Sequence, residues 1–221
     1  MSKDNEEISK NMKKSQTSLV GIVCKDGVVM GGDRRVTAGG QLVINKNYQK
    51  IFVINDYLAL SYTGGVADAQ LVHKILAAEL KIKELKTGER PTVEEAANLM
   101  AMMVYRNIRS PSMIPNIVGI LIAGINKDGN TKLFTISPAG DIIEVEDYDA
   151  NFSSGMPYIL GLLERQYKKD MTVKEAVELA KEALKSSTQR DTGSGNGIDV
   201  FTITKSGISH VVSEEIIPQY K

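Results

Sequence analysis

The chain has 221 residues, 42% of them hydrophobic and 24% charged, with 27 basic residues balancing 27 acidic ones. That length and composition fit a single globular domain with a sizeable core. The even charge balance excludes the basic footprint that nucleic acid or an anionic membrane surface demands, so neither is expected as a partner.

Residues 1–16, MSKDNEEISKNMKKSQ, are too poor in apolar groups to offset their ordering entropy and read as a flexible leader. They lack the apolar centre of a signal peptide, and no run approaches the roughly 18 apolar residues of a membrane span. Cys24 is the only cysteine, which rules out an intrachain disulfide and a thiolate metal cluster and fits a reducing cytoplasm.

From Leu19 the pattern is β: LVGIVC, a turn at Lys25-Asp26-Gly27, then VVMGGD. Leu42-Val43-Ile44 leads through Asn47 and Tyr48 to KIFVI, whose Asn55-Asp56 turn feeds YLALSYT, and Gly64-Gly65 breaks that strand. Between Asp68 and Lys86, Leu71, Ile75, Ala78, Ile82 and Leu85 recur at helical spacing and predict a helix buried along that stripe. A second helix starts at Thr92, where Thr92 and Glu95 form a capping box, and shows Ala96, Leu99, Met100 and Met103 on its apolar face.

Strands resume with IVGILIAGI, a Lys127-Asp128-Gly129-Asn130 turn, KLFTI, a Pro138-Ala139-Gly140 turn and DIIEVE. Pro157 to Tyr167 predicts a third helix, and Thr172 with Glu175 caps a fourth through about Thr188. IDVFTIT, a turn at Lys205-Ser206-Gly207 and ISHVV close the chain. TVEEA and TVKEA are two uses of one capping solution, not a repeat. Hairpin-linked strands with paired helices predict an α+β fold, a four-layer α-β-β-α sandwich of two mainly antiparallel sheets.

Thr17 stands where the charged leader meets the first strand, and Asp33 and Lys50 sit where they can face it from later strands. That is the layout of an N-terminal-threonine hydrolase made as a precursor. A threonine hydroxyl needs a base, and a freed α-amine, with a reference pKa of about 7.7–8.0, can serve. In an uncut chain that amine is an amide, so the Gln16–Thr17 bond has to be opened. Lys50 would favour the alkoxide and Asp33 would hold the ammonium. Without the threonine, the same pair would read as a plain interstrand salt bridge.

The segments TSLVGIVCKDGVVM, GGDRRVT, KIFVI, TGGVADAQ, SSGMP, QRDTGSG and GIDV, in that order and spacing, resemble the β subunit of the proteasome core particle, most closely the archaeal type, from Thr17 to about Val212. The resemblance implies an N-terminal nucleophile hydrolase fold and a threonine endopeptidase whose leader is removed by autolysis, leaving 17–221 as one peptidase domain. It implies Thr17 as nucleophile with Asp33 and Lys50, a supporting group of Ser154, Asp191 and Ser194 around the amine, and the Gly64 N–H as oxyanion donor. Val36, Tyr48, Tyr62 and Val66 fall at its pocket positions, and the strand edges near Thr37 and Gly64 could hold a peptide as an added strand. It further implies seven-membered β rings stacked with α-subunit rings, an ATP-driven unfoldase, unfolded polypeptide as substrate, and no cofactor or metal.

Asp191 to Gly197 is glycine-rich, but it follows a helix and opens a strand, the reverse of a phosphate-cradling loop. His73 and His210 lack a ligand pattern around them. Against the family pattern, Gln16 replaces a glycine, Ser18 and Leu19 replace threonines, Ser153 replaces a glycine, Met156 replaces a serine, and the Ala38-Gly39-Gly40 region is one residue longer. Gln16 motivates a second reading, an unprocessed and inactive structural subunit of the same ring. A third, the shorter bacterial hexameric relative, shares the threonine and a GGD segment but lacks the helix pair and the C-terminal portion found here.

Overall fold

A computed structural model describes residues 16–38, 42–112 and 117–216. The stretch expected to be a leader, apart from Gln16, and Gly39-Gly40 in the lengthened region lie outside the described residues. Strands β1 (Leu19–Cys24), β2 (Gly27–Asp33), β3 (Val36–Ala38), β4 (Leu42–Asn45), β5 (Ile51–Asn55) and β6 (Leu58–Gly64) precede helices α1 (Val66–Thr87) and α2 (Val93–Arg109). Then come β7 (Val118–Ile125), β8 (Thr131–Ile136), β9 (Ile142–Glu144), β10 (Tyr148–Asp149), α3 (Met156–Gln166), α4 (Val173–Thr188), β11 (Gly197–Thr204) and β12 (Gly207–Glu215).

The strands form two five-stranded sheets, ordered β10-β1-β2-β11-β12 and β5-β6-β7-β8-β9, with β3 and β4 as a separate ribbon. Every pairing in them is antiparallel. Strand β1 shows why the sandwich has four layers. Leu19 belongs to the core between the two sheets, whereas Val20 and Ile22 belong to the core beneath α3 and α4. A strand covered on both faces reads as a continuous apolar run, as LVGIVC does. On the far side α1 and α2 cover the second sheet through Leu76, Leu80, Ala97 and Met100.

The two capping boxes form as read. Thr92 accepts from the Glu95 N–H at 3.1 Å and its own N–H reaches the Glu95 carboxylate at 2.9 Å; Thr172 and Glu175 repeat this at 3.2 and 2.8 Å. These bonds satisfy donors that a helix start leaves orphaned.

Three readings need correction. Helix α1 exists, but its buried stripe is Ala69, Val72, Leu76 and Leu80, while Leu71, Ile75, Ile82 and Leu85 are 41–73% exposed. The helix carries two apolar stripes, and periodicity alone does not say which one meets the sheet. Second, the strand beginning at Leu42 pairs with β3, which the sequence did not reveal, so Leu42 and Ile44 project outward. Third, a two-residue strand, β10, extends the first sheet by pairing Gly21 with Asp149 and Ile22 with Tyr148. Both missed strands are too short to show a period.

In the isolated chain, Leu76→Ala is expected to cost roughly 2–5 kcal/mol, as for a buried leucine, and Ile75→Ala to stay within about 0.5 kcal/mol. Denaturant midpoints of the two variants check the assignment. Equal losses would contradict it.

Candidate active site

Thr17 immediately precedes β1 and is buried. The β1–β2 register aligns Leu19 with Gly32, which carries Asp33 to the neighbourhood of Thr17. The Asp33 N–H donates to the Ser18 carbonyl at 3.1 Å and the Ser18 N–H returns to Asp33 Oδ1 at 2.8 Å. Lys50, one residue before β5, reaches across from the second sheet. Its Nζ stands 2.6 Å from Asp33 Oδ1 and 3.0 Å from Thr17 Oγ1.

The ion pair is out of water, with Lys50 at 4% exposure and Asp33 at 0%. Such a pair persists only when the remaining lone pairs are satisfied. Here the other oxygen, Oδ2, accepts from the backbone N–H groups of Arg35 at 2.9 Å and Gly195 at 3.0 Å. Burial pulls the Lys50 ammonium below the usual lysine range, and the charge and hydrogen bond of Asp33 oppose that pull.

A second polar group surrounds the backbone of Thr17. Its N–H donates to Ser154 Oγ at 2.8 Å, and Ser154 Oγ lies 2.7 Å from Asp191 Oδ2 and 3.1 Å from the Thr17 carbonyl. A hydroxyl has one proton, and the shorter contact to a charged acceptor takes it. Ser194 also donates to Asp191 Oδ2. The loop bearing Ser154 is tied to the second sheet by Asn151, whose amide donates to Thr135 Oγ1 at 2.9 Å and to the Ile120 carbonyl at 3.1 Å. Asn151 has φ 48°, a left-handed conformation that a short polar side chain tolerates.

Gly64, at the end of β6, lines the same small cleft as Thr17 and Lys50. Its φ is +106°, and a Cβ there would stand 2.0 Å from the Ile117 carbonyl oxygen, so only glycine fits. Val36, Tyr48, Tyr62 and Val66 complete the cleft together with Arg35 and Gln16. The Tyr48 and Tyr62 hydroxyls meet at 2.5 Å, and Gln70 donates to Tyr48 at 3.2 Å. Thr37 lies next along β3, outside the cleft's lining. The structure thus brings Thr17, Asp33, Lys50, Ser154, Asp191, Ser194 and Gly64 together, with four of the five expected substrate contacts.

Sequence reasoning missed several participants. Ser18 contacts Ser194 at 2.7 Å and also Ser187, which extends the hydroxyl chain into α4. Position 18 carried a signal, a hydroxyl beside Thr17; Ser187, within a serine-rich helix end, carried none. Arg35 donates to the Thr192 carbonyl and to Asn196 Oδ1, both at 2.8 Å, and holds the 191–197 loop. That loop turns its Gly193 and Gly195 N–H groups onto Asp191 and Asp33, not outward to a phosphate. Of the substituted positions, Ser153 satisfies its hydroxyl on the Ala150 carbonyl at 2.7 Å, and Leu19 joins the core between the sheets. His73 and His210 stack on Phe52 and Phe201.

A four-layer α-β-β-α sandwich with a threonine at the head of β1 is the N-terminal nucleophile hydrolase fold. The proteasome subunit family matches residues 12–203. A proteasome subunit beta from Nanoarchaeum equitans is 41% identical over 198 residues, covering 90% of this chain and 98% of its own length. Those of Methanocaldococcus jannaschii and Methanococcus maripaludis are 38% and 36% identical, covering 90% and 96% of this chain and 87% and 94% of theirs. The chain belongs to the proteasome subunit family, as a β subunit.

Asp33→Ala leaves the Lys50 ammonium buried without its partner and is expected to cost about 3–5 kcal/mol. Glu84→Ala, which breaks the exposed Lys81–Glu84 pair, is expected to cost under about 1 kcal/mol. Denaturant unfolding of the two variants checks the contrast, and a neutral Asp33→Ala would contradict it.

Proposed function

We propose that this β subunit is a threonine endopeptidase, with residues 1–16 as a removable leader, residues 17–221 as one peptidase domain, and Thr17 as the nucleophile. The observation that carries the reading is the Lys50 ammonium, 3.0 Å from Thr17 Oγ1 while held by Asp33. A positive charge at that distance favours the alkoxide.

In the uncut chain the Thr17 nitrogen is an amide and cannot act as base. Thr17 Oγ1 attacks the Gln16 carbonyl carbon, the C–N bond breaks, and the hydroxyl proton ends on the Thr17 nitrogen. The resulting ester links Gln16 to the threonine oxygen. Water hydrolyses that ester, releasing the leader as a carboxylic acid and restoring the hydroxyl beside a free amine.

The amine then serves as general base on its own hydroxyl. Attack on a substrate carbonyl builds an oxyanion for the Gly64 N–H; removing one such donor in other hydrolases costs roughly 10²–10³ in rate. The amine passes its proton to the departing peptide nitrogen, and water cleaves the acyl-enzyme by the reverse sequence. Ser154, Asp191 and Ser194 orient the amine and tune its proton affinity. No cofactor or metal enters any step.

Unfolded polypeptide is the proposed substrate. The edge of β3 not paired to β4 is open among the described residues, which supports capture of a peptide as an added strand near Thr37. Val36, Tyr48, Tyr62 and Val66 would receive the side chain before the cut.

Family membership carries assembly into core-particle rings with α subunits. Rings of seven, an ATP-driven unfoldase and a cytoplasmic location extend the same proposal. The exposed stripe of Leu71, Ile75, Ile82 and Leu85 supports a role for α1 in subunit contact. Among the described residues, no helix is long and apolar enough to cross a membrane.

A second reading, an unprocessed structural subunit, draws on the Gln16 side chain lying against the 191–195 loop. Intact-mass measurement on assembled particles decides between them. The peptidase reading expects a chain beginning at Thr17, and Thr17→Ala is expected to assemble while losing peptide hydrolysis. A wild-type chain keeping residues 1–16 in competent particles, or undiminished turnover in Thr17→Ala, would overturn it.

A further inference from the structure

The residue that precedes the nucleophile is not free of the site. A Cβ built on Gly193 would stand 1.6 Å from Gln16 Cβ, 2.6 Å from its Cγ and 2.5 Å from its Oε1. The Gln16 side chain therefore lies directly over the Gly193 α-carbon, and the Thr192 hydroxyl donates to its amide oxygen at a long 3.4 Å. Gly193 is not among the described glycines with positive φ, unlike its neighbour Gly195 at +149°. A left-handed φ is therefore not what calls for glycine here, and space over the α-carbon is what its missing side chain provides.

Rotation cannot relieve a contact at that distance, because no χ angle moves a residue's own Cβ. Hydrogen bonds hold the loop against retreat. Asp191 accepts from Gly193 and Ser194, Asp33 accepts from Gly195, and Arg35 holds the Thr192 carbonyl and Asn196. A side chain at 193 would displace residue 16, whose carbonyl carbon Thr17 Oγ1 must reach.

We propose that Gly193 is the positioning residue that admits a side chain at position 16, so that the 191–195 loop sets which residue can precede the nucleophile when the leader is cut. Glycine at one of the two positions is sufficient, and this chain carries it at 193. The inference rests on self-cleavage at Gln16–Thr17, the reading proposed above. It treats the unusual Gln16 as compatible with cleavage and not as a block to it.

The test uses the full chain and four versions of it: wild type, Gly193→Ala, Gln16→Gly and the double variant. Cleavage is followed by intact mass. A displacement of about 1 Å at reacting atoms costs on the order of 10²-fold, so Gly193→Ala is expected to slow cleavage about 10²-fold, while the double variant cleaves within about threefold of Gln16→Gly. The rescue distinguishes positioning from general damage to the loop. Equal slowing in both backgrounds, or none in either, would overturn the proposal.

The same four versions in a Thr17→Ala background retain residue 16 whatever the chemistry does. There, Gly193→Ala is expected to lower the melting temperature by several degrees with Gln16 and not with Gly at 16; equal shifts would refute the contact itself. Coupled melting temperatures with no cleavage in any Thr17 chain would refute the self-cleavage reading and, with it, the role of Gly193 in cleavage.

Discussion

Two opposite charges, both out of water, have to meet at one point between the sheets. The Lys50 ammonium comes from the strand pair of one sheet and the Asp33 carboxylate from the end of β2 in the other. Their contact fixes the two sheets relative to each other at the edge where Thr17 enters. Burying such a pair costs several kcal/mol per ion, and the cost is met only by complete hydrogen bonding. The backbone does this: N–H groups of Ser18, Arg35 and Gly195 all converge on Asp33. Each comes from a different part of the site, so the start of β1, the end of β2 and the loop before β11 are organised by one carboxylate.

From that constraint the rest follows outward. The loop that donates to Asp33 through Gly195 also carries Asp191 and Ser194, so the group facing the Thr17 nitrogen is positioned by the same anchor that positions its hydroxyl. Arg35 closes the circuit by gripping Thr192 and Asn196. Gly193 sits inside this pinned segment, which is why the space above it is a property of the site and not of a yielding loop. Four layers of packing hold the frame, with separate apolar cores between the sheets and beneath α3 and α4.

Much of this was legible in the sequence. Strands such as LVGIVC are buried on both faces and so are written in continuous apolar residues. Thr92-Glu95 and Thr172-Glu175 announce helix starts because capping is a local bond between residues three apart. Asp33 and Lys50 were readable beside Thr17, and Ser154, Asp191 and Ser194 came into view through the family resemblance, each in a motif of its own. What was hidden depends on contacts distant in sequence. The buried side of α1 is decided by its docking on the second sheet, and Leu71 and Ile75 look as suitable as Val72 and Leu76 until the sheet is present. Ser187 enters the hydroxyl chain across 169 residues of sequence from Ser18, with no local mark. Gln16 departs from the family pattern when read beside Thr17 alone, and its approach to Gly193 is visible only in the fold.

The account's central claim is that the Thr17 hydroxyl, set beside Lys50, becomes the nucleophile once its own amine is free. A peptide epoxyketone closes a ring only on a residue that offers both a hydroxyl and an adjacent free amine. Incubating assembled particles with such a probe and locating the adduct by peptide mass spectrometry tests both requirements together. The account predicts one adduct per processed chain, on Thr17 as the first residue, and loss of peptide hydrolysis in proportion. Adduct formation elsewhere with activity lost, or full inhibition with Thr17 unmodified, would contradict it.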